Sequence, residues 1–175
     1  SEVSLHLHDL KDHLNSYLAV LGPKAQVHSL SDIIASGKYH PGIEDNIKKA
    51  EKLSTSTPEY RERLVKRSEL QTQTMKLLAD YRLDALVYPH QKRLAVPVGQ
   101  TQIERNGVLG SVTGFPSIVV PGGFSSPSSS APIGVPIGLE ILGRPWSEPN
   151  LIQIAYAFEQ ATKFRRPPES TPSLA

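Results

Sequence analysis

The 175-residue sequence contains no cysteine. Its absence excludes disulfides, thiolate catalysis and cysteine-built zinc sites, and it fits a cytoplasmic protein. No run of about 18 apolar residues occurs, so no membrane-crossing helix is expected. Ser1-Glu2-Val3 has neither an initiator Met nor a basic-then-apolar signal segment. The polypeptide is therefore expected to begin upstream. The formal net charge is only +2. Bases alternate with acids in Lys48-Lys49-Ala50-Glu51-Lys52 and Arg61-Glu62-Arg63, the pattern of a solvated helix face. Without a clustered basic face, nucleic acid is not an expected partner.

Nucleophile signals are also missing. Gly110-Ser111-Val112-Thr113-Gly114 has Val112 at the centre, where a nucleophile elbow puts Ser. No Ser stands three residues before a Lys. The Ser-rich stretch from Phe124 to Pro132 is broken by Pro127 and has no Lys or His nearby in sequence. It reads as a flexible hairpin connection, because a nucleophilic Ser needs a partner base and a rigid turn with oxyanion donors. The histidines are His6, His8, His13, His28, His40 and His90. His6 and His8 are two apart, on different helix faces, whereas a helical zinc pair prefers a spacing of four. Neither a metal nor a cofactor is expected, and the histidines read as surface or boundary residues. His90 follows a short apolar run and a proline, at a strand's C-terminal edge, where open α/β sheets place ligands.

What is present is a globular composition, 38% hydrophobic and 21% charged, and enough chain for one domain with a real core. Residues 1–84 are polar, charged and helical in pattern. Leu7, Leu10, Leu14, Tyr17, Leu18 and Leu21 recur at three and four, an amphipathic helix closed by Gly22-Pro23. Ser31 is expected to cap a short helix through Ile33 and Ile34 that Gly37 closes. Thr57-Pro58-Glu59 starts a helix running to about Tyr81, with Tyr60, Leu64, Met75 and Leu78 inward and a polar middle from Ser68 to Gln73. Residues 85–143 are rich in Gly, Pro, Ser, Val and Ile. Three strands are expected there: Ala85–Tyr88, Ser117–Val120 stopped by Pro121-Gly122-Gly123, and Ile137–Gly143. Glu140 is the single acid of the third strand and suggests a less buried face. Residues 147–163 form a closing helix, capped by Ser147, with Leu151, Ile154, Ala155, Phe158 and Ala161 in one stripe set against the strand from Ile137. Residues 164–175 are a Pro-rich tail.

Five segments, in order, resemble the late part of the amidase-signature family. They are Asp9–Ala19, Leu83-Asp84-Ala85-Leu86-Val87-Tyr88-Pro89, Gly110 through Gly123, Ile133 through Pro145, and Glu148 through Pro168 with Ala155-Tyr156-Ala157-Phe158-Glu159-Gln160-Ala161-Thr162. The resemblance covers nearly the whole chain and implies an α/β fold, the C-terminal portion of a single amidase domain with a mixed sheet flanked by helices. Family members are much longer and cleave amide bonds with a Ser–Ser–Lys triad. All three triad residues precede the region matched here, so the resemblance assigns no catalytic residue to this chain. It places His90, Gln91, Ser111, Thr113 and Gly114 near the acyl pocket; many members carry Asn where Ser111 stands. It implies a C-terminal piece of an amidase that completes the sheet and one pocket wall. The expected partners are a complementary N-terminal segment or a second copy of the chain, and a small-molecule amide. The alternative reading is a catalytically dead, amidase-like binding or interaction protein.

Overall fold

The computed structural model describes residues 2–168. The chain forms two compact units, Ser1–Gln71 and Thr72–Ala175.

The first unit is helical. Helix α1 spans His6–Leu21, α2 Leu30–Ser36 and α3 Glu44–Glu51, and α4 begins at Pro58 and ends at Asp80. The expected helices are all found, and α3 is added to them. The cap of α2 differs from expectation. Ser29, not Ser31, accepts the hydrogen bond from the Asp32 amide, at 3.0 Å, and Asp32 in turn accepts from the His28 amide at 2.8 Å. That reciprocal pair needs an acid three residues after the cap, which Ser29 has and Ser31 lacks. Gly37 closes the helix in the left-handed conformation at φ 64°. The core is Leu30, Ile47 and Ala50, with Leu7, Leu10, Leu14, Ile34 and Tyr39 packed around it. Polar ties hold the helices together. Asn15 accepts from the Leu30 amide at 2.8 Å, Tyr60 donates to Asp9 at 2.8 Å, and Asp12 accepts from the Thr55 hydroxyl and amide at 2.6 and 3.0 Å.

Two expectations fail on burial. Leu64 and Met75 of α4 are exposed, whereas Leu78 is fully buried; a mostly polar helix needs only a narrow apolar contact. His8, read as a surface or boundary residue, is buried. Its ring lies beside Tyr60, 6.1 Å between centroids, with Nε2 3.8 Å from Glu59.

The second unit is a sheet with one helix packed on each face. Strand β1 is Leu86–Pro89, β2 Ser117–Phe124 and β3 Pro136–Leu142. The order is β1-β3-β2, and both outer strands run antiparallel to β3. β2 does not stop at Pro121. It continues to Phe124 through an irregularity between Pro121 and Gly123, and Gly123 takes φ +120°. Proline is tolerated there because β2 is an outer strand with one unpaired edge. On one face, helix α6 (Glu148–Thr162) buries Leu151 and Ala155 against Val120 and Ile141, with Ile118, Leu139, Ile154 and Phe158 around them. The expected stripe is the contact, except that Ala161 is exposed. Gly143 lets α6 approach, since a Cβ there would lie 2.3 Å from Ser147 Oγ and 3.0 Å from Leu151 Cδ2. Ser147 occupies the N-cap position without capping: its hydroxyl donates back to the Arg144 carbonyl at 2.7 Å. On the opposite face lies a short helix absent from the sequence expectations, α5, Val108–Thr113. No helix among the described residues is long and apolar enough to cross a membrane.

Candidate functional site

The polar side chains of the sheet gather on the face under α5. Tyr88, Glu140 and Val119 stand in one cross-strand row. Glu140 belongs to the central strand and is only 2% exposed, which reverses the expectation of a less buried face. The approach of α5 seals it: a Cβ on Gly110 would lie 3.3 Å from both Glu140 Oε1 and Ser117 Oγ. A buried carboxylate is costly unless it is paired. Its partner is His90, whose Nδ1 lies 2.8 Å from Glu140 Oε2. The pairing joins residues 50 positions apart, and nothing in the sequence expectations anticipates it. The available signal was the lone acid in an apolar strand, which requires a partner once the strand is central.

The backbone around His90 holds the ring in place. The His90 amide donates to the Gly138 carbonyl at 3.0 Å. Its carbonyl accepts from the Asn106 and Gly107 amides at 3.0 and 3.1 Å, and the Asn106 side-chain amide donates to the Pro89 carbonyl at 2.9 Å. Gly107 lies so close to the imidazole that a Cβ would sit 2.1 Å from Cε1, so only glycine fits beneath this ring. Tyr88 adds a buried hydroxyl without a hydrogen-bond partner of good geometry among the described residues. Burial, then the neighbouring Glu140 charge, pushes its pKa well above the usual phenol value.

The sequence-nominated residues fall into two places. His90 and Gln91 leave the end of β1. Gln91 pairs with Arg105 across an isolated bridge and lines a cavity of about 320 Å³ with Pro89, Lys92, Leu94, Ile137 and Gly138. Its Oε1 is buried without a partner among the described residues. Ser111, Thr113 and Gly114 belong to α5 and its end. Ser111 is exposed, and its hydroxyl donates to the Val108 carbonyl at 2.9 Å. Thr113 is 1% exposed; its hydroxyl donates to the Leu109 carbonyl at 2.7 Å and accepts from the Phe115 amide at 3.3 Å. Gly114 ends the helix at φ 72°. The His90 ring meets α5 through the start of that helix, at Gly107, rather than through Ser111 or Thr113.

The Ser-rich loop is organised by its own hydroxyls. Ser125 accepts from the Val135 amide at 2.9 Å and donates to the Ser126 carbonyl at 3.1 Å. Ser128 accepts from the Ala131 amide at 3.1 Å. These bonds shape a turn, as expected of a hairpin connection.

No protein-family model matches the chain. Individual relatives do. A probable amidase of Arabidopsis thaliana is 33% identical over 168 residues, which is 96% of this chain and 30% of the relative. A glutamyl-tRNA(Gln) amidotransferase chain of Moorella thermoacetica is 45% identical over 60 residues, 34% of this chain and 11% of the relative. Among solved structures, native peptide amidase from Stenotrophomonas maltophilia superimposes with a TM-score of 0.75 at 32% identity, covering 94% of this chain and 34% of that one. The same share is covered in peptide amidase in complex with the competitive inhibitor chymostatin, with a TM-score of 0.76. The chain thus spans about a third of the length of the amidases it matches from end to end. By sequence and by fold, the chain is similar to the C-terminal part of longer amidases.

Proposed function

We propose that this chain is the sheet-completing C-terminal part of an amide-hydrolysing enzyme, and that the face around His90 is its share of the substrate wall. The observation that carries the reading is the end-to-end match to a third of an amidase, in sequence and in fold. The chain's own residues agree with it. No Ser stands three residues before a Lys, and the hydroxyls of Ser111, Ser125 and Ser128 are engaged in local backbone bonds. The nucleophile then lies in the complementary N-terminal segment, and no cofactor is called for.

In this reading His90 and Gln91 face the acyl pocket from the end of β1. Ser111 and Gly114 approach it from α5, and Thr113 fixes that helix from beneath. The sheet supports the partner assignment as well. Among the described residues both β1 and β2 have an unpaired edge, and Val87 and Val119 are 55% and 51% exposed. Such edges attract a further strand or a second copy. The complementary segment is the natural occupant, self-association the outcome in its absence, and the cytoplasm the compartment that suits a cysteine-free chain.

A chimaera tests the proposal. Residues 1–175 replace the matching third of the Stenotrophomonas maltophilia peptide amidase, and amide hydrolysis is measured. A folded chimaera that turns over amides is expected. A folded but inactive chimaera overturns the proposal and favours the binding-protein alternative.

A further inference from the structure

The His90–Glu140 pair has a chemical asymmetry. A carboxylate only accepts hydrogen bonds, so a 2.8 Å contact to Nδ1 puts the proton on Nδ1. A neutral ring then carries its lone pair on Nε2. Glu140 is sealed at 2% exposure, while the His90 side chain remains 40% exposed. The one side-chain hydrogen bond of His90 among the described residues is made through Nδ1, which leaves Nε2 without a partner there. The ring cannot tilt away freely, because Gly107 lies against its face and its backbone is bonded on both sides. The outcome is a fixed acceptor at the surface, backed by a buried charge.

We propose that His90 is a ligand-contacting residue that accepts a hydrogen bond from the N–H of a primary carboxamide through Nε2, and that Glu140 is the positioning residue that fixes its tautomer. The inference rests on the reading above that this face is part of the amide pocket, and it names what that part recognises. An amide offers a donor where an ester of the same shape offers none. A preoriented acceptor therefore separates the two, since an unpaired polar group in the ester complex loses a hydrogen bond. The buried carboxylate is explained by the same role: an apolar residue at position 140 would pack more cheaply but would leave the ring free to choose either tautomer.

The test uses residues 1–175 with isotopically labelled histidine. Long-range nitrogen–proton NMR in alkaline buffer, where imidazoles are neutral, reads the tautomer of His90. Nδ1–H is expected in the wild type and in Glu140→Gln, whose amide oxygen still accepts, and it should be lost in Glu140→Leu. Benzamide is then titrated against methyl benzoate while the His90 Nε2 resonance is followed. Benzamide should shift it, methyl benzoate should not, and the benzamide response should weaken several-fold in Glu140→Leu but persist in Glu140→Gln. An Nε2–H tautomer in the wild type overturns the proposal even if Glu140→Leu fails to fold. So does an absent benzamide response, or an equal response to the ester. None of these results touches the chimaera experiment, which decides the wider reading separately.

Discussion

The two units of the chain are held together by different physics. In the helical unit the apolar core is small, with Leu30, Ile47 and Ala50 at its centre, and the helices are tied by carboxylates and amides. Asp12 alone accepts from the Thr55 amide and hydroxyl, and Asp9 accepts from Tyr60. In the sheet unit α6 buries an apolar stripe on one face, and a buried carboxylate, Glu140, sits on the other with His90. Each unit should therefore fail in its own way. Directional bonds to ionised groups fail with pH, and close-packed apolar contacts fail with lost volume.

The largest expected effect is a cavity in the sheet unit. Leu151 is 3% exposed and touches Val120 and Ile141. Leu151→Ala should cost about 2–5 kcal/mol, transfer energy plus the void left behind. Phe158 is only partly buried and leans on Phe164, 6.3 Å away between centroids, so Phe158→Ala should cost less. Urea midpoints for the two variants decide the order. A greater loss for Phe158→Ala would move the centre of the core toward the end of α6.

A smaller effect, of a different kind, is expected in the helical unit. Hydrogen bonds from the Thr55 side chain and amide hold the Asp12 pKa below its ordinary 3.8. A depressed carboxylate contributes stability that is complete above the unfolded value and lost as pH falls through the folded one. Asp12→Asn should therefore lower the urea midpoint at neutral pH, and the gap should narrow only below about pH 4. A gap independent of pH between 7 and 3 would show that Asp12 acts by shape, not charge, and would blur the contrast between the units.

The smallest effect sharpens the boundary of α6. Lys163 ends that helix in the left-handed region at φ 50°, a conformation suited to glycine. Lys163→Gly should raise stability by up to about 1 kcal/mol, and Lys163→Ala should stay within about 0.5 kcal/mol of wild type. Thermal melts of the two proteins check it; a destabilised Lys163→Gly would mean that the residue matters through its side chain.

The same contrast explains what could be read from the sequence. Helices α1, α4 and α6 were legible because apolar spacing, Thr57-Pro58 and Gly22 announce them locally. The closing stripe was legible to the residue at Leu151, Ile154, Ala155 and Phe158. Helix α5 was not, because it is six residues long with Gly110 inside it. Nor was the sheet order, since β3 inserts between two strands that precede it in the chain. For the candidate site, His90 was visible from its place after a strand. Its partner was not, because Glu140 becomes buried only when α5 and both outer strands close around the central one. The acidic pairing is a property of that assembly and carries no local signature. Ser29 outcompetes Ser31 as a cap for a reason that was available in the sequence, the acid at position 32.

On the proposed reading, the nucleophile for amide hydrolysis lies outside residues 1–175. That claim is tested most directly by exposing the isolated chain to a serine-directed fluorophosphonate and a panel of aryl amides, with mass spectrometry to locate any adduct. No turnover and no stoichiometric adduct on any serine are expected. Stoichiometric labelling of one serine, with hydrolysis that this labelling abolishes, would contradict the claim.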